Sequence, residues 1–236
     1  MIDSKNKKYE GFSLVEMLIT IAIMGMVMLI ASITLTTLIK ISTVSSNKTK
    51  VRNETEFVLE LVRRTVRNSN PADVMIYNSL DARVYDSEND VVKDNPAVVD
   101  IASIYTVPLG ENIPGNEIHF KPYGYVNWIC IGFFRDMNPE SDVGYVIKTS
   151  TKDLRNNHEK CFDGTTEDYR MYTLELNSAS VDINSFNIAY TQSSNGNYII
   201  RFDLTAQPVD WYLGESAPVN REVFRQAVVS TEGINW

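Results

Sequence analysis

The amino-acid sequence predicts an α+β fold, in which a long N-terminal helix packs on a C-terminal antiparallel β-sheet head. First, residues 17–39 contain no ionisable side chain. As a helix with a rise of about 1.5 Å per residue, such a run can cross a bilayer core of roughly 30 Å. Second, a helical period continues to about residue 68. Third, short β-rich runs follow residue 71, separated by turn residues and without helical crossovers, which favours antiparallel strands.

The start of the apolar run has an unusual order of residues, Gly11-Phe12-Ser13-Leu14-Val15-Glu16, preceded by lysines at positions 5, 7 and 8. An acid at the edge of a hydrocarbon span is costly, so Glu16 is a functional candidate by default. An ordinary secretory signal has an apolar core of about 7–15 residues and a cut site after it. Here the run is longer and an acid stands at its start. A plain signal anchor stays open as the alternative.

This segment resembles the N-terminus of type IV pilins and of the pseudopilins of type II secretion and competence systems. The resemblance implies that a membrane prepilin peptidase cuts the Gly11–Phe12 bond and methylates the new amine on Phe12. It also implies that Glu16 serves assembly, by pairing with the Phe12 amine of a neighbouring subunit. Two buried charges are tolerable when they are paired. The implied partners are the prepilin peptidase, other pilin or pseudopilin subunits and an inner-membrane assembly platform, and no cofactor is implied.

The resemblance also implies a domain organisation. Residues 1–11 are a cleaved leader, 12–39 the transmembrane or filament-core half of the helix, 40–70 its amphipathic half, and 71–236 the head. Lysines flank the span on both sides, so charge does not decide the orientation. The family places the head outside the cytoplasmic membrane, first as a single-pass protein and then in an extracellular or periplasmic filament.

The amphipathic half of the helix is predicted to bury one face. That face comprises Val51, Thr55, Val58, Leu59, Leu61, Val62, Thr65 and Val66. Glu60 is expected to pair with Arg64 one turn on. The polar residues 42–49 are expected to fray, and Asn68-Ser69-Asn70-Pro71 to end the helix. The arginines at 63, 64 and 67 favour a solvated face over nucleic-acid binding, because the net charge of −8 argues against bulk phosphate contacts.

The head is predicted to hold nine strands, near residues 74–77, 97–107, 117–121, 127–134, 144–149, 170–176, 187–192, 198–205 and 223–229. Residues 193–197 form the best hairpin turn. Residues 81–96 are predicted to be a loop with at most a short strand, and residues 208–221 a second long loop.

The cysteines Cys130 and Cys161 are predicted to form a disulfide, because an isolated pair in an exported domain favours one. Two buried free thiols are the alternative. The histidines His119 and His158 lie in no metal-binding spacing, and no catalytic motif is present. Acidic clusters at 86–90, 136–142 and 163–168 favour solvated loops over calcium sites, since none completes a calcium-loop pattern. The sequence therefore predicts no enzyme, no catalytic residue and no metal.

An aromatic-rich stretch is expected to pack in the core more than to bind a ligand. It comprises Tyr123, Tyr125, Trp128, Phe133 and Phe134. Trp211, Tyr212 and Trp236 are candidates for contacts with another subunit. The function predicted is a structural subunit, a minor pilin by the size of its head, of a type IV pilus-like filament. A pseudopilin is the first alternative, and a membrane-tethered binding module or enzyme that never assembles is the second.

Overall fold

A computed structural model describes residues 13–79, 82–95, 102–138, 140–141, 143–151, 161–162, 170–210 and 221–231 of the chain. The chain divides into two compact units, Met1–Ser45 and Ser46–Trp236. Each unit is described by itself below.

The described part of the first unit is helical and belongs to α1 (Leu14–Arg67). Its apolar side chains are exposed, since nothing within the unit covers them. Threonine hydroxyls along this unit donate to the carbonyl four residues earlier, so these polar groups need no water. These are Thr20, Thr34, Thr36, Thr37 and Thr43, at 2.6–3.0 Å. The expectation that residues 42–49 fray is wrong, because α1 is continuous through them.

In the second unit, α1 buries the face that the 3.6-residue period predicts. Six of the eight predicted residues are buried: Val51, Thr55, Val58, Leu59, Val62 and Val66. Leu61 and Thr65 are half-buried. The helix ends at Arg67, and the Ser69 hydroxyl donates to the Val66 carbonyl at 2.6 Å. Pro71 lies two residues inside the first strand, so the chain turns directly from helix to sheet.

A seven-stranded sheet, sheet A, forms one layer of the head. Its strands are β1 (Ser69–Tyr77), β2 (Arg83–Asp86), β3 (Val91–Asp94), β4 (Glu117–Pro122), β5 (Ile129–Asp136), β6 (Gly144–Thr151) and β7 (Arg170–Glu175). The order is β1-β4-β5-β2-β3, and β6 pairs with β5 and β7. Strands β4 and β2 share β5, because β4 pairs with residues 129–132 and β2 with residues 135–136.

A three-stranded antiparallel sheet, sheet B, has the order β10-β9-β8. Its strands are β8 (Val181–Gln192), β9 (Tyr198–Pro208) and β10 (Val223–Ser230). The predicted hairpin at residues 193–197 joins β8 to β9, and Gly196 adopts the positive φ of 80° that such a turn requires. The other edge of β8 carries an isolated bridge between Gly115 and Ile188.

Three expectations for the head need correction. The described part of the predicted strand 97–107 forms a 3-10 helix, η1 (Ala102–Tyr105), and residues 97–101 lie outside the described residues. Residues 81–96, predicted as a loop, contain the β2–β3 hairpin. The head is not purely antiparallel, since β2 pairs with β5 in parallel. A short apolar run does not by itself distinguish a strand from a helical turn, which explains η1. The β2–β3 hairpin has strands of only four residues each, and β2 lies far from β5 in sequence.

The main core lies between the amphipathic half of α1 and the inner faces of the two sheets. Val58 and Val62 of the helix belong to the same buried cluster as Ile118 of sheet A and Phe202 of sheet B. A second cluster includes Tyr85, Trp128, Phe134 and the cysteine pair. The α+β class with a helix packed on a sheet, as in pilins, is confirmed.

Candidate functional site

The N-terminus of α1 carries the residues that the sequence marks as functional. The backbone N–H of Ser13 donates to Glu16 Oε2 at 2.9 Å, and the backbone N–H of Glu16 donates to Ser13 Oγ at 3.2 Å. This reciprocal pair is a capping box, which satisfies two amide groups that the first turn otherwise leaves unpaired. The motif Ser-x-x-Glu was readable in the sequence, but our sequence analysis missed it. Gly11 and Phe12 lie outside the described residues.

The apolar run that follows Glu16 is exposed throughout; Leu29, for example, is 65% exposed. The described residues contain one helix, α1, that is both long enough and apolar enough to cross a membrane. An exposed apolar surface of this length requires lipid or protein around it. The helix therefore fits a single-pass membrane anchor.

The cysteines Cys130 and Cys161 form a disulfide that closes a separation of 31 residues, as predicted. Both are fully buried. Cys130 lies on β5 opposite His119 of β4 in the antiparallel register. The side chains of His119, Cys130 and Cys161 approach within 4.8 Å of one another. The disulfide consumes both thiolates, which are the forms of cysteine that bind metals, so the trio is no metal site in this state.

A buried carboxylate on β4 joins several polar side chains. Glu117 accepts hydrogen bonds from the Ser79 hydroxyl at 2.5 Å and the Tyr105 hydroxyl at 3.0 Å, and its Oε1 lies 2.5 Å from His119 Nε2. Burial alone raises the pKa of Glu117, but the charge and hydrogen bond of His119 and the charge of Arg83 lower it. The net pKa lies below the usual range.

This cluster has serine, histidine and glutamate side chains, but it does not resemble a hydrolytic site. In a hydrolytic triad the carboxylate orients a histidine, and the histidine activates the serine. In this cluster the carboxylate itself contacts both the serine hydroxyl and the imidazole. Ser79, Glu117 and His119 are each 0% exposed, so a substrate has no access. The cluster therefore stabilises the head. Its sequence signal was the alternation of Glu117 and His119 with the apolar residues Ile118 and Phe120.

The acidic turn between β2 and β3 is held by its own chain. The Asp86 carboxylate contacts the Lys93 ammonium and accepts from Asn89 Nδ2 at 2.9 Å. The hydrogen bonds from Lys93 and then Asn89 lower the pKa of Asp86 to about 2. These contacts use the carboxylate that a cation would need. The cluster at 163–168, His158 and Asp142 lie outside the described residues.

The exposed face of α1 carries the predicted ion pair. Arg64 Nε lies 2.8 Å from Glu60, and Arg63 Nη2 also lies 2.5 Å from that carboxylate. The pKa of Glu60 is lowered, and the hydrogen bond from Arg64 is the largest cause. A groove of about 1100 Å³ runs between this face and β10.

The aromatic-rich stretch divides between core and surface. Trp128, Phe133 and Phe134 are buried, as predicted for core packing, whereas Tyr123 and Tyr125 are exposed in the turn before β5. Gly124 adopts a positive φ of 76° in that turn. Trp211, Tyr212 and Trp236 lie outside the described residues.

The capped helix start and the exposed apolar run fit a single-pass membrane anchor, and the head that follows contains a disulfide. Comparison with known proteins makes the class more specific: a family model for the prokaryotic N-terminal methylation motif matches residues 6–32. The chain therefore carries a leader of the type IV pilin type, which confirms the resemblance and supports a pilin-like or pseudopilin protein. No curated protein sequence and no solved structure matches the chain.

Proposed function

We propose that the protein is a structural subunit, a minor pilin, of a type IV pilus-like filament. In this proposal the prepilin peptidase cuts after Gly11 and methylates Phe12, and Glu16 pairs with the methylated amine of a neighbour during assembly. The observation that carries the proposal is a methylation motif joined directly to a helix with an exposed, membrane-length apolar half. Such a helix needs lipid before assembly and other helices after it.

The proposed organisation follows the sequence. Residues 1–11 are the leader, 12–39 the membrane or filament-core segment, 40–70 the amphipathic segment and 71–236 the head. The head lies outside the cytoplasm. The Cys130–Cys161 disulfide is stable there, because disulfides persist in oxidising compartments. An inner-membrane platform and other subunits are the assembly partners.

The size of the head favours a minor subunit over a major one. A pseudopilin of a secretion or competence system shares the same leader, and it is the second candidate. The role is structural in both cases, which agrees with the burial of the head's one serine–histidine–glutamate cluster among the described residues.

The test is to find where the full chain resides in cells that make filaments. We expect it in sheared surface filaments, detected by an antibody and by mass spectrometry. A strain without prepilin peptidase should leave it in the membrane with its leader intact. Loss of secreted enzymes but not of filaments in a deletion strain would favour the pseudopilin. A monomer in wild-type membranes that still carries its leader would contradict both.

A further inference from the structure

The disulfide and a histidine meet at one point inside the head. The side chains of His119, Cys130 and Cys161 offer ligand atoms that lie within 4.8 Å of one another. Each of the three residues is 0% exposed. Zinc is bound in proteins mainly by cysteine sulfur and histidine nitrogen, at about 2.0–2.3 Å and in tetrahedral geometry. The three side chains are therefore a ligand set for a soft metal ion, which the disulfide blocks while it is formed.

Backbone pairing places two of these ligands without the help of the disulfide. His119 of β4 lies directly opposite Cys130 of β5 in the antiparallel register. The Cβ atoms of such opposite residues are about 4.5–5.5 Å apart, and their side chains share one face of the sheet. The S–S bond takes no part in this pairing, so His119 and Cys130 stay neighbours when the bond is reduced.

The packing of Phe162 places the third ligand. The ring of Phe162 lies edge-on to that of Phe134, with centroids 4.8 Å apart, and 6.0 Å from the ring of His119. Phe162 is only 2% exposed. Because Phe162 directly follows Cys161 in the chain, these aromatic contacts keep the Cys161 sulfur beside the other two ligands after reduction.

Glu117 supports the histidine as a carboxylate does in a metal site. Its Oε1 lies 2.5 Å from His119 Nε2, and the hydroxyls of Ser79 and Tyr105 donate to the same carboxylate at 2.5 and 3.0 Å. A metal-bound histidine almost always holds a carboxylate, a carbonyl or a water with its other ring nitrogen, which fixes the ring. Glu117 provides that support here, and Nδ1 is the nitrogen that a metal would take.

We propose that the reduced head binds one thiophilic divalent ion of the zinc class through His119 Nδ1 and the sulfurs of Cys130 and Cys161. Three protein ligands leave the fourth position of a tetrahedral ion to water. Two thiolates neutralise the ion, so the buried site gains no net charge. The spacing in the sequence did not reveal this site, because the ligands converge only when β4 pairs with β5. The inference goes beyond the proposed function and does not depend on it.

Thiol–disulfide exchange connects the two states of the cluster. A dithiol attacks the Cys130–Cys161 bond, is itself oxidised to a disulfide, and leaves both cysteines as thiols. The ion then binds the two thiolates and displaces two protons. In reverse, a small-molecule disulfide re-forms the Cys130–Cys161 bond and becomes two thiols with the uptake of two protons, while the ion leaves. The ion thus joins β5 to residue 161 whenever the covalent bond does not.

Cobalt absorption tests the site, because tetrahedral Co²⁺ with thiolate ligands has visible ligand-field bands and a near-ultraviolet charge-transfer band. The disulfide is 0% exposed, so the untagged full chain in detergent is reduced by a phosphine in urea and then refolded with or without Co²⁺. We expect a tetrahedral spectrum that saturates at one ion per chain and disappears when Zn²⁺ is added. The chain treated in the same way without phosphine keeps its disulfide and should give no such spectrum.

Substitutions assign the ligands. Cys130→Ser with Cys161→Ser should abolish the thiolate band, and His119→Gln should weaken Zn²⁺ binding at least tenfold. Glu117→Gln alters only the support of the imidazole, so it should keep the thiolate band but weaken binding by about ten- to a hundredfold. His158→Gln is the matched control, since it changes the only other histidine of the chain, and should leave binding unchanged. Formation of the Cys130–Cys161 disulfide on oxidation checks that each histidine or glutamate variant folds.

Release of the ion on oxidation is a second readout that needs the wild type alone. Glutathione disulfide added to the reduced, zinc-loaded chain should release one Zn²⁺ for each Cys130–Cys161 bond formed, as measured with a zinc-binding dye and by peptide mapping. Refolding of the reduced chain without uptake of an ion would overturn the inference. Failure to refold with Zn²⁺ present, or formation of the disulfide without release of Zn²⁺, would do the same. Neither experiment uses filaments, so absence of the chain from filaments would overturn the proposed function alone.

Discussion

Ser13 and Glu16 cap the first turn of α1 reciprocally, each side chain accepting a hydrogen bond from the backbone N–H of the other. The carboxylate to which we assign a role in assembly thus also caps the helix of its own chain. Any test of Glu16 must separate its charge from its action as a cap.

Glu16→Leu should spare membrane insertion and cleavage but lower filament incorporation at least tenfold. Leucine cannot pair with the Phe12 amine of a neighbour, and breaking a buried pair costs on the order of 3–5 kcal/mol. The change also removes a charge from the edge of a span, which favours insertion. Quantitative blots of membrane and sheared-filament fractions measure both effects.

Glu16→Gln is the matched control for the cap. Glutamine at this position still completes a capping box, but it carries no charge. We expect it to be as defective in incorporation as Glu16→Leu. Wild-type incorporation of the glutamine variant would assign the role of Glu16 to the cap alone.

The mature chain should begin with N-methylated Phe12. The expected cut, at the Gly11–Phe12 bond, lies within residues 6–32, which the methylation motif matches. Mass spectrometry of the purified N-terminal peptide identifies both the cut and the methyl group. Gly11→Val should leave the leader attached, whereas Lys5→Ala should still be cut. A wild-type chain that begins at Met1 in cells with active peptidase would contradict this prediction.

Loss of the Cys130–Cys161 disulfide should lower the free energy of unfolding of the head by about 3–4 kcal/mol. The bond closes a separation of 31 residues and thereby restricts the unfolded chain. Urea unfolding of the full chain in detergent compares the wild type with the Cys130→Ser, Cys161→Ser double variant. Reductant should shift the wild type to the midpoint of the variant and leave the variant unchanged. Equal midpoints without reductant would show that the bond contributes nothing.

The stability of the head should fall in acid because of Glu117. Its pKa is below the usual 4.5 when folded, despite burial, so the ionised carboxylate stabilises the fold at higher pH. That contribution is fully present above the unfolded pKa and is lost as the pH falls through the folded pKa. Melting temperatures measured from about pH 6 to pH 3 should fall less steeply for Glu117→Gln than for the wild type. The exposed Glu88→Gln should keep the wild-type slope.

Gly144→Ala should destabilise the head by about 3 kcal/mol, at the upper end of overpacking costs. A Cβ at this position would lie 2.0 Å from the Ile183 carbonyl oxygen, and this backbone atom cannot move without disturbing β8. Gly110→Ala is the control, since its nearest contact would be an ordinary 3.6 Å from a side-chain methyl group of Ile113. Thermal unfolding of both variants tests the difference. Equal stability of the two variants would show that β6 and β8 can move apart at Gly144 without loss of stability.

The helix was predictable because its signals are local. A period of 3.6 residues marked Val51, Val58 and Val62 as buried, and the i,i+4 spacing marked the Glu60–Arg64 pair. Both relationships depend only on residues within about three helical turns of each other. The disulfide was predictable for a different reason, since an isolated pair of cysteines has one possible partner each.

The polar network around Glu117 was not predictable from local patterns. Ser79 lies 38 residues before Glu117, and only the antiparallel pairing of β1 with β4 brings these regions together. The hairpin of β2 and β3 was missed for a different reason, because its pairing is local but its strands are short. Each strand has only four residues and ends in an aspartate, and the hairpin joins the rest of sheet A through the parallel pairing of Val84 with Arg135, which is distant in sequence.

The sequence by itself determined the leader motif, the membrane-length helix, the buried face of its second half and the cysteine pairing. Each is written in spacings of a few residues or in the identity of one pair. Only the tertiary structure decided that an acid, a histidine and two hydroxyls share one sealed cluster, and that β2 runs parallel to β5. These depend on contacts between residues far apart in the chain, whose free energy exists only when the strands and the helix have packed together.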